Sequence, residues 1–203
     1  AGALHAQLDS LQQVEARKDL KETAFFFPHL SLDQDGSVKF SFTSPEALTQ
    51  WKLRLLAHTS SWTTGSLEER VVTQKELSVA PNAPRFLREG DTIIFKSKIT
   101  NMSSEAMTGS TVLQLFDAVS MEPIDTLLLA SETDPLKPFQ IAPNSSTAVS
   151  WELHIPQGIQ AVTYRILAKA GNFTDGEENL LPVLSNRMLV FESLPIFVRA
   201  GET

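Results

Sequence analysis

The chain has 203 residues, of which 42% are hydrophobic and 20% charged, a composition ordinary for one large globular domain or two of about 100 residues. Its net charge of -7, without a cluster of Lys and Arg, argues against nucleic-acid binding, which needs a basic face. The absence of cysteine excludes disulfides, thiolate metal sites and thiol nucleophiles, and no run of 18 apolar residues predicts a membrane span.

The beginning of the chain predicts a short helix. The first ten residues, AGALHAQLDS, have neither the basic nor the apolar region of a signal peptide, so none is expected. Leu4, Leu8, Leu11 and Val14 recur close to the helical period, with polar residues between them. We therefore predict an amphipathic helix over residues 3–16.

The stretch ETAFFFPHL, residues 22–30, places three phenylalanines side by side. On a strand, Phe25 and Phe27 would share one face and Phe26 would lie on the other. We expect such a strand to be buried on both faces, or to lie against the preceding helix, and Pro28 to end its pairing.

Five further segments alternate between apolar and polar residues, which is typical of antiparallel strands with one dry face. The predicted inward-facing sets are Val38, Phe40 and Phe42; Trp51, Leu53, Leu55 and Ala57; Ile93, Phe95 and Ile99; Val149, Trp151, Leu153 and Ile155; and Val162, Tyr164, Ile166 and Ala168.

Turn compositions separate these segments, namely DQDG at Asp33, SPEA at Ser44, REGD at Arg88, APNS at Ala142, PQG at Pro156 and TDGEE at Thr174. In SVAPNAPRF, Pro81 and Pro84 are expected to interrupt a strand ladder, so one sheet should end there and another begin. The fold class predicted is all-β, with two antiparallel β-sandwich units and a short N-terminal helix.

Histidine spacing gives no metal site, because His5, His29, His58 and His154 do not pair in a pattern such as H-x-x-x-H. His58 and His154 are predicted to be solvated on the polar faces of their strands. His29 follows Pro28 and is expected to be partly buried and hydrogen-bonded.

Two acidic stretches are candidates for cation sites. DQDGS contains Asp33 and Asp35 but lacks the spacing of a calcium loop, so it predicts a hairpin turn. TDGEENL gathers Asp175, Glu177 and Glu178 around a glycine, and a solvated acidic turn is favoured there over a weak cation site.

Other local patterns also have structural explanations. Asn101, Asn144 and Asn172 each open an N-x-[ST] triplet, which would accept a glycan in a secreted eukaryotic protein and arises by chance in a bacterial one. The cluster of Arg85, Arg88, Glu89 and Asp91 in RFLREGD predicts a turn braced by local ion pairs.

We predict no catalytic, cofactor-binding or metal-ligating residue, and no cofactor. The sequence has neither a G-x-S-x-G elbow nor a phosphate-binding glycine loop. Trp62, in the polar loop TSSWTTG, is the one candidate for a recognition surface, against the alternative that it folds back onto a sheet.

The segment from Arg17 to Thr59 resembles the signature segment of bacterial alpha-2-macroglobulins. The resemblance lies in ETAFFFP, the D-G turn, FSFTSPEALTQW and LAHT; it continues in KELSVAPNAPRFLREGD, in ITNMS and in NRMLVFESLPIFVR, residues 186–199. Between residues 110 and 182 it is mainly a strand pattern.

The resemblance implies a large envelope or secreted protein built from macroglobulin-like β-sandwiches, in which a protease cuts a bait segment and the rearrangement exposes a reactive thioester. The family's C-G-E-Q motif needs a cysteine, which this chain lacks. Residues 1–18 are either a separate helical segment or the tail of the bait segment. The Arg17–Lys18 pair could be cut by a trypsin-like protease, but the favoured explanation is that a basic residue is common at this point of the family's segment.

The resulting domain prediction has four parts: a helical or linker segment over residues 1–18, the C-terminal part of a sandwich over 19–78, a complete sandwich over 79–184, and a strand or linker over 185–203. The implied function is a non-enzymatic scaffold in a bacterial protease inhibitor of the periplasm or cell surface. The alternative is a cell-surface module that binds glycan or protein.

The implied partners are proteases, met through the full-length protein, and neighbouring macroglobulin-like domains. An incomplete first sandwich would expose a sheet edge, so a second copy of the chain is a further expected partner. No nucleic-acid or membrane contact is expected.

Overall fold

A computed structural model describes residues 2–187 and 190–194. The elements in chain order are α1 (Gly2–Gln12), β1 (Gln50–His58), β2 (Thr64–Val72), β3 (Leu77–Asn82), β4 (Leu87–Arg88), β5 (Thr92–Asn101), β6 (Met107–Asp117), α2 (Asp125–Leu128), β7 (Leu136–Ile141), β8 (Ser145–His154), β9 (Ala161–Ala170) and β10 (Phe173–Leu184). The predicted all-β class is confirmed. No helix within the described ranges is long and apolar enough to cross a membrane.

Strands β3 to β10 form a sandwich of two sheets. A five-stranded sheet has the order β4-β10-β9-β6-β7, and a three-stranded sheet has the order β3-β5-β8. Neighbours are antiparallel, apart from a two-residue parallel pairing of β4 with β10. Phe95, Trp151 and Ile166 are fully buried in the core between the sheets, so the alternation predicted for β5, β8 and β9 places the expected residues inside.

The five-stranded sheet is covered on its second face by the N-terminal segment. Leu167 of β9, which lies on this second face, is therefore buried, and Thr163 on the same face is buried as well. Leu11 lies against Val112 and Leu167 in a cluster separate from the main core. The predicted helix is confirmed, but it ends at Gln12 and not at residue 16; beyond it, Arg17 forms an extended bridge to β10.

The part of the chain between Arg17 and the sandwich, residues 18–76, which we term the N-terminal unit, forms one hairpin. β1 pairs with β2 from Gln50 opposite Val72 to His58 opposite Thr64, and the alternation predicted from Trp51 to Leu55 is half-buried on one face. β2 was not predicted, because its sequence TGSLEERVV does not alternate, and all of its residues are exposed.

The two phenylalanine-rich strands predicted before the hairpin do not form. Residues 18–49 contain no strand, and Phe26 is 80% exposed, so the expectation of a strand buried on both faces is wrong. Phe25, Phe27, Phe40 and Phe42 gather instead into an aromatic cluster, with the rings of Phe25 and Phe42 centred 4.3 Å apart. Ring contacts hold these segments together without a backbone ladder.

Most of the predicted turns are confirmed by residues in left-handed backbone conformations, which favour glycine and asparagine. These residues are Gly36, Gly90, Asn144 and Gly158. The TDGEE turn is wrong, because this stretch lies inside β10 and the chain reverses two residues earlier, at Gly171 and Asn172.

The proposed break at Pro81 is also not seen, since β3 runs from Leu77 through Pro81 to Asn82. β3 is an edge strand, and such a strand tolerates a proline whose nitrogen faces the open side. The domain boundaries stay predictions, and much of the 185–203 segment lies outside the described residues.

Candidate functional site

The most developed polar site joins the N-terminal segment to the sandwich. Arg17 is 7% exposed and Asp175, on β10, is fully buried. The Nε of Arg17 donates to Oδ1 of Asp175 at 3.0 Å, and its Nη2 donates to Oδ2 at 3.1 Å. This two-pronged geometry is the strongest arrangement that an arginine and a carboxylate adopt.

The backbone brings Arg17 to this position. Its N–H donates to the carbonyl of Gly176 at 2.9 Å, and its carbonyl accepts from the N–H of Glu178 at 3.0 Å. Residue 17 thereby adds one parallel bridge to β10. Gly176 permits this approach, because a Cβ at that position would lie 2.7 Å from Leu167 and 3.3 Å from the Cα of Ala16.

The ion pair also satisfies the open edge of β3. The N–H of Val79 donates to Oδ2 of Asp175 at 2.8 Å, and the carbonyl of Val79 accepts from Nη2 of Arg17 at 2.9 Å. Both backbone groups of Val79 therefore have side chains as partners where a neighbouring strand would otherwise supply them. Lys75 adds a further hydrogen bond to Oδ1 of Asp175 at 2.9 Å.

Glu177 and Glu178, which follow Asp175, are also paired with basic residues, but their pKa values shift in opposite directions. Glu177 accepts from Nη2 of Arg17 at 3.3 Å, but burial raises its pKa. Burial, together with the nearby charge of Glu177, raises the pKa of Tyr164 as well. Burial alone would also raise the pKa of Glu178, but hydrogen bonds from Lys18 and Arg165 outweigh it and hold that pKa below its usual range.

This site, which we term the Arg17 network, consists of Arg17, Lys75, Val79, Asp175 and Glu177. Each charge in it has an opposite charge within hydrogen-bond distance. Its geometry is suited to holding three chain segments together, since its charged groups are paired with one another within the protein.

Sequence reasoning missed this network. The expectation of a solvated acidic turn at Asp175 is wrong, because the carboxylate is buried against a residue 158 positions away. The structure likewise argues against cleavage after Arg17, whose side chain is buried and whose backbone is paired with β10. The only hint in the sequence is that Arg17 lies three residues after Val14, close to the apolar positions of the predicted helix.

The histidines are dispersed over the described part of the chain. His58 and His154 lie on exposed strand positions as predicted, and His154 Nδ1 is 3.2 Å from the hydroxyl of Thr92. The expectation for His29 is wrong, because that residue is exposed. The side chain of His5 lies outside the described positions. Within the described ranges, no group of three His, Asp or Glu side chains is arranged to hold a metal ion.

The DQDGS stretch forms a turn as predicted, but it is not a hairpin turn, because no strand flanks it. Oδ1 of Asp35 accepts from the N–H of Ser37 at 3.0 Å and from its hydroxyl at 2.7 Å. Asp33 closes the turn with its carbonyl, which accepts from the N–H of Gly36. The carboxylate thus stabilises a local bend.

The predicted ion pairs of RFLREGD do not form, because Glu89 turns inward and is 7% exposed. Its carboxylate accepts from the N–H of Gly158 at 2.8 Å and from that of Asn186 at 3.3 Å. These donors favour the charged form and lower the pKa of Glu89. A carboxylate that binds two loops has replaced the expected salt bridges.

The three N-x-[ST] triplets differ in accessibility. Asn101 is fully buried and donates from Nδ2 to the carbonyls of Glu105, at 2.6 Å, and of Ala142, at 3.1 Å. Asn144 and Asn172 are exposed. Asn101 therefore has a structural role, closing the turn between β5 and β6.

Trp62 lies at the tip of the β1–β2 hairpin and is 82% exposed. Its backbone φ is 64°, a left-handed conformation, and its ring stacks at 6.0 Å from that of His58. The alternative in which Trp62 folds back onto a sheet is therefore wrong.

Comparison with known proteins shows which family this chain resembles. Residues 23–113 match the model of the alpha-2-macroglobulin family. The alpha-2-macroglobulin of Thermotoga maritima is 23% identical over 171 residues, covering 84% of this chain. The chain spans 10% of that relative's length.

Two solved structures share the fold. Trypsin-activated alpha-2-macroglobulin from Escherichia coli aligns with a TM-score of 0.60 and 18% identity, covering 75% of this chain and 10% of that one. The Escherichia coli protein activated by porcine elastase aligns with a TM-score of 0.55 and 20% identity, covering 75% of this chain and 13% of that one. The predicted resemblance to bacterial alpha-2-macroglobulins is confirmed.

Proposed function

We propose that this chain, a relative of the bacterial alpha-2-macroglobulins, is a scaffold part of a protease-trapping protein. The observation that carries the proposal is the match over residues 23–113, which runs from the aromatic segment into the sandwich. In this role the chain catalyses nothing. It holds neighbouring modules in a strained arrangement and transmits the cut of a bait segment as movement.

The packing supports a mechanical role. The main core joins the two sheets through fully buried side chains such as Phe95 and Trp151, which gives a unit that moves as one body. The N-terminal segment is attached to that unit through Leu11 and the Arg17 network. A displacement of chain upstream of Arg17 therefore pulls directly on β10.

The setting we propose is the bacterial envelope, in the periplasm or at the cell surface, with proteases met through the full-length protein. The support is indirect: the two Escherichia coli relatives were activated by trypsin and by porcine elastase. Neighbouring macroglobulin-like domains would be the direct contacts of this chain.

The full-length parent protein tests the proposal. Trypsin incubated with it should keep its activity on a small peptide substrate and lose activity on a large protein substrate, because a trapped protease is sterically shielded. Leu11→Asp, at a position 1% exposed, should weaken this shielding, whereas Leu56→Asp, at a position 74% exposed, should not. Equal digestion of large and small substrates would refute the trap, and an unimpaired Leu11→Asp variant would refute the transmitting role.

A second candidate function is recognition of glycan or protein at a cell surface. The exposed ring of Trp62, beside the hydroxyl-bearing residues Thr59, Ser61 and Thr63, is the observation that favours it. A glycan array should then show binding by the wild-type chain that Trp62→Ala abolishes and Leu56→Ala retains. Binding that survives Trp62→Ala would refute this candidate.

A further inference from the structure

We propose that the edge of β10 at Gly176, together with the buried carboxylate of Asp175, is a docking site for an extended peptide segment that carries an arginine. Residues 8–18, which we term the strap, are its intramolecular occupant and are bound reversibly. This inference rests on contacts within the chain and does not depend on the proposed function.

The backbone contact has the form of strand addition. Arg17 contributes one N–H and one carbonyl to the edge of β10, and the residues on either side of it make no further ladder bonds with that strand. Peptides join sheet edges in this way, with main-chain hydrogen bonds for affinity and side-chain pockets for specificity. Gly176 leaves the edge open to such an approach.

The side-chain contact explains how the strap can leave. A buried carboxylate that lost its only cation would be strongly destabilising. Asp175 keeps two partners without Arg17, because Lys75 and the N–H of Val79 both remain bound to it. Arg17 in turn would pass into water, where its charge is well solvated.

The apolar contacts of the strap are separate from the main core. Leu11 and Ala16 pack with Val112, Leu136 and Leu167 on the outer face of the five-stranded sheet, while the main core lies between the two sheets. A cleft of about 240 Å³ also separates part of α1 from the sheet, beside Gly109 and Lys169. Release of the strap would therefore open one small cluster and leave the sandwich closed.

Native-state hydrogen exchange of the whole wild-type chain in low urea tests this inference. The amides of Arg17 and Glu178 should exchange through an opening that depends less steeply on urea than that of Phe95 and Trp151, because it exposes less surface. A single shared urea dependence for all four amides would overturn the inference, since the strap would then come off only with global unfolding.

Variants and a peptide complete the test. Arg17→Lys should speed exchange at the Glu178 amide by about tenfold or more while the shallow urea dependence of that exchange is retained, and Lys21→Ala, in an exposed pair with Asp19, should leave exchange at Glu178 unchanged. A synthetic peptide of residues 7–19 should bind the Arg17→Ala chain saturably, and the same peptide with Arg17→Ala should not. Unchanged exchange in Arg17→Lys, or equal binding of the two peptides, would overturn the proposal.

Discussion

Arg17 and Asp175 form a two-pronged ion pair across 158 positions of sequence, with Nε 3.0 Å from Oδ1 and the carboxylate fully buried. Neither residue belongs to the sheet edge that the pair completes, because the backbone groups that they satisfy are those of Val79 on β3. The pair thus joins the N-terminal segment, β3 and β10, and its loss affects all three.

Gly176 should tolerate no side chain. In Gly176→Ala the new Cβ would meet Leu167 at 2.7 Å and the carbonyl of Ile166 at 3.0 Å, so we expect a loss of about 1–3 kcal/mol in the free energy of unfolding. Urea denaturation followed by circular dichroism measures this loss. Gly65→Ala is the matched control, because a Cβ there meets nothing within 4 Å. Equal stability of the two variants would contradict the close approach at Gly176.

Glu177 and Glu178 should respond to pH in opposite directions. Burial raises the pKa of Glu177 above its ordinary 4.5, so ionisation costs the folded chain more than the unfolded chain. The wild type therefore loses stability relative to Glu177→Gln as pH rises through the raised pKa. The Tm of the variant minus that of the wild type should increase between about pH 4 and pH 7 in thermal melts.

Glu178 supplies the control for that experiment. Its pKa is lowered because Lys18 and Arg165 outweigh burial, so its charge stabilises the fold above its ordinary pKa and this stabilisation is lost as pH falls through the lowered value. The Tm of Glu178→Gln minus that of the wild type should therefore fall as pH rises. The same slope for both variants would show that the two environments do not differ as described.

Two tryptophans should differ sharply in their effect on stability. Trp151 is fully buried and its Nε1 donates to the carbonyl of Pro135 at 2.9 Å, so Trp151→Ala should cost about 3–5 kcal/mol. Trp62→Ala, at a position 82% exposed, should stay within about 0.5 kcal/mol of the wild type. Chemical denaturation of both variants decides, and a large loss in Trp62→Ala would mean that the hairpin tip packs against protein.

Asn101 should be far less tolerant of a carboxylate than Asn144. Asn101→Asp would replace a donor that faces the carbonyls of Glu105 and Ala142 with an acceptor in a buried position, so we expect a loss of about 3 kcal/mol or more. Asn144→Asp lies on the surface and should be nearly neutral. Thermal melts at neutral pH compare the two, and similar Tm values would argue against a buried amide at residue 101.

Strands β5, β8 and β9 of the sandwich could be predicted from sequence because they alternate, with the exposed Ile94 as an exception, whereas β3, β4, β6, β7 and β10 were not predicted. Ile93, Phe95 and Ile99 on β5, like Trp151 and Leu153 on β8, face a second sheet that this chain itself supplies. In β5 and β8 the period of two therefore predicts which face of the strand is buried.

The N-terminal unit shows where the same reasoning fails. Phe40 and Phe42 alternate as well as Phe95 does, yet their segment finds no strand to pair with among the described residues and forms ring contacts instead. Alternation reports which side of a strand is apolar, whereas a sheet also requires a neighbour with free backbone groups.

The Arg17 network could not be predicted for a different reason. Asp175 lies in a polar stretch of β10, and its burial depends on Arg17 and Lys75, which are distant in sequence. A single sequence does not show that such distant positions are in contact. An acidic run beside a glycine is therefore predicted to be a solvent-exposed turn.

Val79 and Pro81 together should protect the edge strand β3 from pairing with another chain at high protein concentration. The N–H of Val79 points away from β5 to Asp175, and because strands repeat every two residues, the nitrogen of Pro81 points the same way. A strand from another chain that approached β3 would meet the carboxylate of Asp175 at Val79 and would find no N–H donor at Pro81. We expect fibrillation to spare this margin of the sandwich and to begin at the β1–β2 hairpin, which has no proline in either strand.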